Sequence, residues 1–228
     1  MTVRVIKAIG GLSNRLRFIF SHFVKAKENN EQMVVIWEIK GECPGYFEDY
    51  FQKIEGITFY KSNTHNYHIQ HCSGSPICSP IYSELKLRTD MLEIINNKRS
   101  LLNNNYIAIH VRRTDHSNFA KSKNRYTSDE EFVQFIDKQQ TVNSSLYVAT
   151  DNIDSYKFFS IKYNNLIKNN HDDSIYNFNN MIERAPHDRH TSLKDSIIDL
   201  YMCVYANSFK GSGWSSFSGL IQTLRSIK

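Results

Sequence analysis

The chain has 228 residues, 40% hydrophobic and 22% charged, with 9 Gly and 4 Pro, a composition that excludes disorder, collagen and a coiled coil. It is long enough to bury one large core or two smaller ones. Lys plus Arg number 28 against 23 for Asp plus Glu, and the surplus of +5 is scattered along the chain, which excludes a basic nucleic-acid-binding tail and leaves a mild attraction for anions.

Val3 to Ile9 reads as a first strand. Ser13 follows as an N-cap, and Leu12, Leu16, Ile19, Phe20, Phe23 and Val24 share one face of a helix running to about Glu28. Met33 to Ile39 is a near-continuous apolar run, as expected of a parallel strand buried on both faces. A short helix over Tyr46 to Ile54 and a strand over Ile57 to Tyr60 follow. His65 to Tyr82 is rich in Ser and Pro and reads as a long loop. His65, His68, His71, Cys72 and Cys78 crowd that loop without the paired short spacing of structural zinc ligands, so no metal is expected. Cys43, Cys72, Cys78 and Cys203 form no C-x-x-C pair, which predicts free thiols in a reducing compartment.

Glu84 to Lys98 reads as a helix, and the polar Asn-rich stretch after it as a connector, dividing the chain into domains at 1–102 and 103–228. Tyr106 to Val111 is then a strand, Asp129 to Gln140 a helix, Leu146 to Ala149 a strand and Ile153 to Ile161 a helix. Asn164 to Pro186 is polar and reads as loop around a weak strand at Ile175 to Phe178. Thr191 to Tyr205 is a helix with Ser192 and Asp195 at capping-box spacing. A short strand over Asn207 to Lys210 leads through a Gly-Ser-Gly-Trp-Ser-Ser turn into a last helix on which Phe217, Leu220, Ile221 and Leu224 share a face. The alternation predicts an α/β fold with parallel strands and crossover helices. No apolar segment is long enough for a secretory core or a membrane span, so a soluble, cytoplasmic protein is expected.

Ligands of open parallel sheets bind beyond the carboxyl ends of the strands, where unpaired amides of helix N-termini face them. Four distinctive segments fall there: Gly10 to Arg15, Arg112 to Asp115, Thr150 to Asn152 and Gly211 to Ser216. Two are glycine-containing turns entering helices, and one carries adjacent arginines, whose forked guanidiniums suit diphosphate oxygens. The common denominator is an anion, most simply a phosphate. Neither a G-x-G-x-x-G fingerprint nor a Walker motif is present.

His110-Val111-Arg112-Arg113-Thr114-Asp115 resembles the H-x-R-R-x-D motif of the superfamily of α-1,2-, α-1,6- and protein O-fucosyltransferases. Gly10-Gly11-Leu12-Ser13-Asn14-Arg15-Leu16 is similar to that family's opening G-G-x-x-N-x-L segment. Asp199-Leu200-Tyr201 followed by Ser215-Ser216-Phe217-Ser218 is similar to its last donor-site motif. The three blocks run in order over almost the whole chain. The resemblance implies a GT-B-like fold of two Rossmann-like domains facing a cleft, with an acceptor-side N-terminal domain reduced here and a C-terminal domain that binds the GDP-sugar. It implies an inverting, metal-independent transfer from GDP-fucose to a glycan or protein-linked acceptor, with no cofactor beyond the donor.

By the same resemblance, Arg112 contacts the β-phosphate and stabilises charge on departing GDP, and Arg113 supports it. His110 shapes the nucleotide pocket, Asp199 pairs with the guanine edge, and Ser215, Ser216 and Phe217 hold the phosphates. Gly11, Asn14 and Arg15 face the donor from the N-terminal domain. Asp151 is a further donor-site candidate, with helix capping as its simpler role. The stretch after the motif, His116-Ser117-Asn118-Phe119-Ala120, has none of the acidic residues found there in related α-1,6 enzymes, leaving Asp115 and His116 as candidates for the base. Two alternatives stay open: transfer of another GDP-linked sugar, and nucleotide-sugar binding without turnover.

Overall fold

The structure, a computed structural model, describes residues 2–63, 80–113, 117–164 and 192–228. The divide between its two compact units falls at Met91/Leu92, with Ser226–Lys228 joining the first unit. It lies inside a helix, ahead of the connector where the sequence pattern places it.

In the first unit, β1 (Val3–Lys7), β2 (Gln32–Ile36) and β3 (Ile57–Tyr60) form a parallel sheet in the order β1-β2-β3. β2 is central and its last four residues are buried, which accounts for the unbroken apolar run. Helix α1 (Leu12–Glu28) buries Leu12, Leu16, Ile19, Phe20 and Phe23 as its periodicity requires. Its N-cap is Gly11, not Ser13. Gly10, at φ +79°, turns the chain directly off β1, so the helix starts early enough to place Ser13 in its first turn, fully buried.

Two expected helices differ. Between Tyr46 and Ile54 there is only a 3₁₀ turn, Phe47–Asp49. Phe47 stacks on Phe59 at 4.2 Å and on Phe51 at 4.9 Å, so aromatic burial directs the backbone here. Helix α2 begins at Thr89 and ends at Leu101, later at both ends than its apolar pattern suggests. Residues 85–88 are extended because they pair with the preceding segment: the Gln52 amide donates to Lys86 O at 2.9 Å and that of Arg88 to Tyr50 O at 3.0 Å.

In the second unit, β4 (Tyr106–Val111) is flanked on both sides by parallel partners, β5 (Ser145–Thr150) and β6 (Ser208–Gly211). Every residue of β4 and β5 is buried. Ile107, Ile109 and Val111 pack on one face with Leu146 and Val148 of β5, against α4 (Asp129–Gln139) and α5 (Ile153–Lys162) through Phe132, Ile136 and Phe159. The alternate residues of β4 and β5 face α6 (Leu193–Tyr205), where the Tyr106 hydroxyl donates to Met202 O at 2.8 Å. The predicted cap of α6 is present, with Ser192 Oγ accepting from the Asp195 amide at 3.0 Å. A short helix without a clear sequence signal, α3 (Ser117–Ser122), precedes α4, and α7 (Ser216–Ser226) follows β6. Arg225 of α7 donates to the carbonyls of Cys203, Val204 and Ala206 at 2.7 to 3.0 Å, closing the end of α6. Cys203 is a free, buried thiol, and Cys43 is buried. Cys72, Cys78, the histidine-rich loop and the weak strand at Ile175 to Phe178 lie outside the described residues. No described helix is long and apolar enough to cross a membrane.

Candidate functional site

The register of the second sheet brings three strand ends together. His110 of β4 lies opposite Ala149 of β5 and Gly211 of β6, so the residues just beyond all three strands emerge at one edge. A pocket there is lined by His110, Arg112, Thr150, Asp151, Ser196, Asp199 and Phe217, all from the second unit. Sequence-distant segments meet at this edge because β4 is central: β4 leads to His110 and Arg112, β5 to Thr150 and Asp151, the start of α7 brings Phe217, and α6 brings Ser196 and Asp199.

Arg112 is the fixed positive charge of the pocket. Its side chain is only 7% exposed and its Nη1 lies 3.0 Å from Asp151 Oδ2. The other oxygen of the same carboxylate accepts the Arg113 amide at 3.1 Å. Asp151 therefore holds both the guanidinium and the backbone of the segment leaving β4. It is not the cap of α5, because Asn152 fills that role by accepting from the Ser155 amide at 2.8 Å. Across the sheet, Ser212 Oγ accepts the Arg112 amide at 2.8 Å and donates to His110 O at 3.1 Å. Arg112 is thus pinned from both flanking strands, the preorganisation that lets a cation stabilise developing charge without reorganising.

His110 pairs through Nδ1 with Ser218 Oγ at 2.7 Å, and its ring lies 4.8 Å from that of Phe217. Ser215 caps α7, accepting the Ser218 amide at 3.3 Å, so Ser215, Ser216 and Phe217 occupy the head of the helix beside the pocket. Asp199 keeps some accessible surface yet is hemmed in by protein, and burial pushes its carboxyl up to about 7, opposed by a 2.6 Å hydrogen bond from the Tyr147 hydroxyl.

Arg113 has a different post. Its guanidinium pairs with Asp129 and lies over the Tyr126 ring, 4.8 Å from the centroid, so its charge serves to tie down α4. Gly11, Asn14 and Arg15 belong to the first unit. Asn14 is exposed, whereas Arg15 is 1% exposed and donates to the carbonyls of Gly10 at 2.7 Å and Glu38 at 2.8 Å, with Trp37 under its guanidinium. These contacts give Arg15 a structural task. Asp115 and His116 lie outside the described residues. Among the described residues no cluster suited to a metal ion is present.

Sequence patterns did not single out Tyr147, and they took in Ser212 and Ser218 only as members of the segments Gly211 to Ser216 and Ser215 to Ser218, with no role for either. Tyr147 carried a signal nonetheless, since a tyrosine in the middle of a fully buried strand must find a partner for its hydroxyl. In the structure a Cβ at Gly213 would collide with the Arg125 carbonyl oxygen, so the turn before α7 closes only around glycine.

No protein-family model and no curated protein matches the chain. Solved structures do. NodZ α-1,6-fucosyltransferase soaked with GDP-fucose is similar at a TM-score of 0.64, with 13% identity over 98% of this chain and 92% of that one. POFUT1 in complex with GDP gives 0.67 and 13% over 98% and 94% of the two chains. An Arabidopsis thaliana FUT1 variant in complex with GDP gives 0.58 and 10%, over 100% of this chain and 69% of that one. At these identities the likeness shows the fold: mixed α/β with open parallel sheets, GT-B-like, as in these fucosyltransferases.

Proposed function

We propose that the protein is a glycosyltransferase that binds a GDP-sugar in the second unit and transfers fucose to a hydroxyl of a glycan or protein-linked acceptor. The observation that carries this reading is the convergence of a rigid, buried Arg112, the head of α7 and Asp199 on one pocket at the carboxyl edge of the sheet. The chemistries gathered there suit the donor: a guanidinium and oriented amides for the diphosphate, and a carboxyl for the guanine edge. The resemblance of the motifs around Arg112, Asp199 and Ser215 points the same way, as does the fold shared with NodZ and POFUT1.

In the proposed reaction the acceptor oxygen attacks the anomeric carbon of fucose from the face opposite the leaving group. The bond from that carbon to the β-phosphate oxygen breaks, its electron pair leaves with GDP, and the acceptor proton passes to a base, for which Asp115 and His116 are the candidates. The diphosphate gains negative charge in the transition state, and Arg112 answers it with charge already in place. The sugar of the donor and the inverting stereochemistry rest on the family resemblance.

The test is transfer from GDP-fucose to a glycan panel, alongside a thermal-shift comparison of GDP, UDP and ADP. GDP is expected to raise the melting temperature most, because a ligand bound only by the native state stabilises it by mass action. Arg112→Ala is expected to lower transfer by about a hundred- to thousandfold, the usual cost of one preorganised donor to developing charge. Unchanged turnover in that variant would overturn the role of Arg112, and absence of GDP binding by the native protein would overturn the reading.

A further inference from the structure

We propose that Tyr147 is a positioning residue for base selection: its hydroxyl favours the acceptor-only carboxylate form of Asp199, the form that takes guanine in preference to adenine. The inference rests on the donor-site reading above and adds to it a residue and a selection rule.

Tyr147 is 2% exposed in the centre of β5, and its hydroxyl donates to Asp199 Oδ1 at 2.6 Å, from the sheet to the facing helix α6. A carboxylate has lone pairs to spare after accepting one such bond, so Asp199 can still accept the adjacent N1–H and N2–H donors of guanine. The Asp199 carboxyl is balanced between its two forms near neutral pH. Burial and Asp195, one turn earlier on α6, favour the proton; the Tyr147 hydroxyl and Lys98 of α2 oppose it. Burial, and after it Asp199, push up the Cys203 thiol one turn later, while His110, Arg112 and Asp151 share the pocket from the strand ends.

The two protonation states read different bases. Adenine presents an acceptor at N1 beside a donor at N6, and a protonated carboxyl, one donor and one acceptor, complements that pair. The ionised carboxylate repels N1 of adenine and accepts both guanine donors. Whatever holds Asp199 ionised therefore selects guanine, and among the described residues the shortest contact doing so is the Tyr147 hydroxyl.

The experiment measures Kd for GDP and ADP from pH 5.5 to 8.5 in the native full chain and in Tyr147→Phe, with the Asp199 carboxyl followed by carbon-13 NMR in the absence of nucleotide. In the native chain GDP binding strengthens as pH rises through the Asp199 titration. A hydrogen bond to a charged group contributes enough to move that titration up by about 1–2 pH units when the hydroxyl is removed, which weakens GDP roughly tenfold at pH 7 while ADP holds or gains. Replacing all tyrosines by 3-fluorotyrosine, a stronger donor of similar size, moves the midpoint down and carries the test should Tyr147→Phe fail to fold. Native GDP binding with the same pH profile and the same GDP-to-ADP ratio in these variants overturns the role of Tyr147 and leaves the donor site standing. Failure of the native chain to bind GDP overturns both.

Discussion

Asp151→Ala removes one carboxylate that does two jobs, pairing with Arg112 Nη1 at 3.0 Å and accepting the Arg113 amide at 3.1 Å. Both side chains of the ion pair are nearly buried, at 7% and 6% exposure, so water cannot replace the lost partner without rearrangement. Removing one member of a buried pair costs about 3–5 kcal/mol. For a chain of this size that lowers the unfolding midpoint by roughly 6–20 °C. Asp151→Asn keeps an acceptor for the Arg113 amide and should lose less. The signature that separates a ligand-facing Arg112 from a purely structural one is rescue. A diphosphate bound by the guanidinium takes over the missing carboxylate's role, so saturating GDP raises the midpoint of Asp151→Ala by more degrees than that of the native chain. Differential scanning calorimetry with and without GDP measures both effects. A drop below about 2 °C would refute the energetic argument. Equal GDP-induced shifts in the two proteins would refute the contact between Arg112 and the diphosphate.

Two further outcomes follow from the same geometry. Asp199 is ionised near pH 4 in the unfolded chain but only near 7 in the folded one, so the native state holds the extra proton between those values and stability falls as pH rises across that window. Asp199→Asn removes this dependence: denaturation should show the variant gaining on the native chain by up to about 4 kcal/mol at pH 8 and by nothing below pH 4, and a parallel pH dependence would contradict the burial of the carboxyl. Gly213→Ala drives a methyl group into the Arg125 carbonyl oxygen, so the turn before α7 must shift. Its hydrogen bond from the Gly213 amide to Thr127 Oγ1, 2.9 Å, breaks, and GDP affinity should fall at least tenfold with the protein still folded by circular dichroism; native affinity would show that the turn does not shape the site.

The fold was legible wherever local pattern and tertiary burial agree. β4 and β5 read as strands because both faces are covered, α1, α4 and α7 as helices because each buries an apolar stripe, and α6 because its apolar pattern and its cap coincide. The signal failed where non-local contacts set the backbone. Residues 85–88 have helix-compatible residues yet pair with 50–52, and Phe47 is held in a 3₁₀ turn by rings from elsewhere in the chain. The site divides the same way. Arg112 stands out as an arginine just past a buried strand, and Asp199 as a carboxylate on the polar side of an apolar helix. The neighbours that hold them, Ser212 and Tyr147, lie 100 and 52 residues from their partners, a distance that no local spacing encodes. Arg15, which follows a glycine turn, donates to two carbonyls, since an arginine on an inward helix face is as useful for closing loops as for holding anions.

The most direct measurement is the structure of the protein crystallised with GDP. The diphosphate is expected within hydrogen-bond reach of the Arg112 guanidinium and the first amides of α7, with the guanine edge on Asp199. GDP seated elsewhere, with Arg112 still bound only by protein groups, would contradict the account.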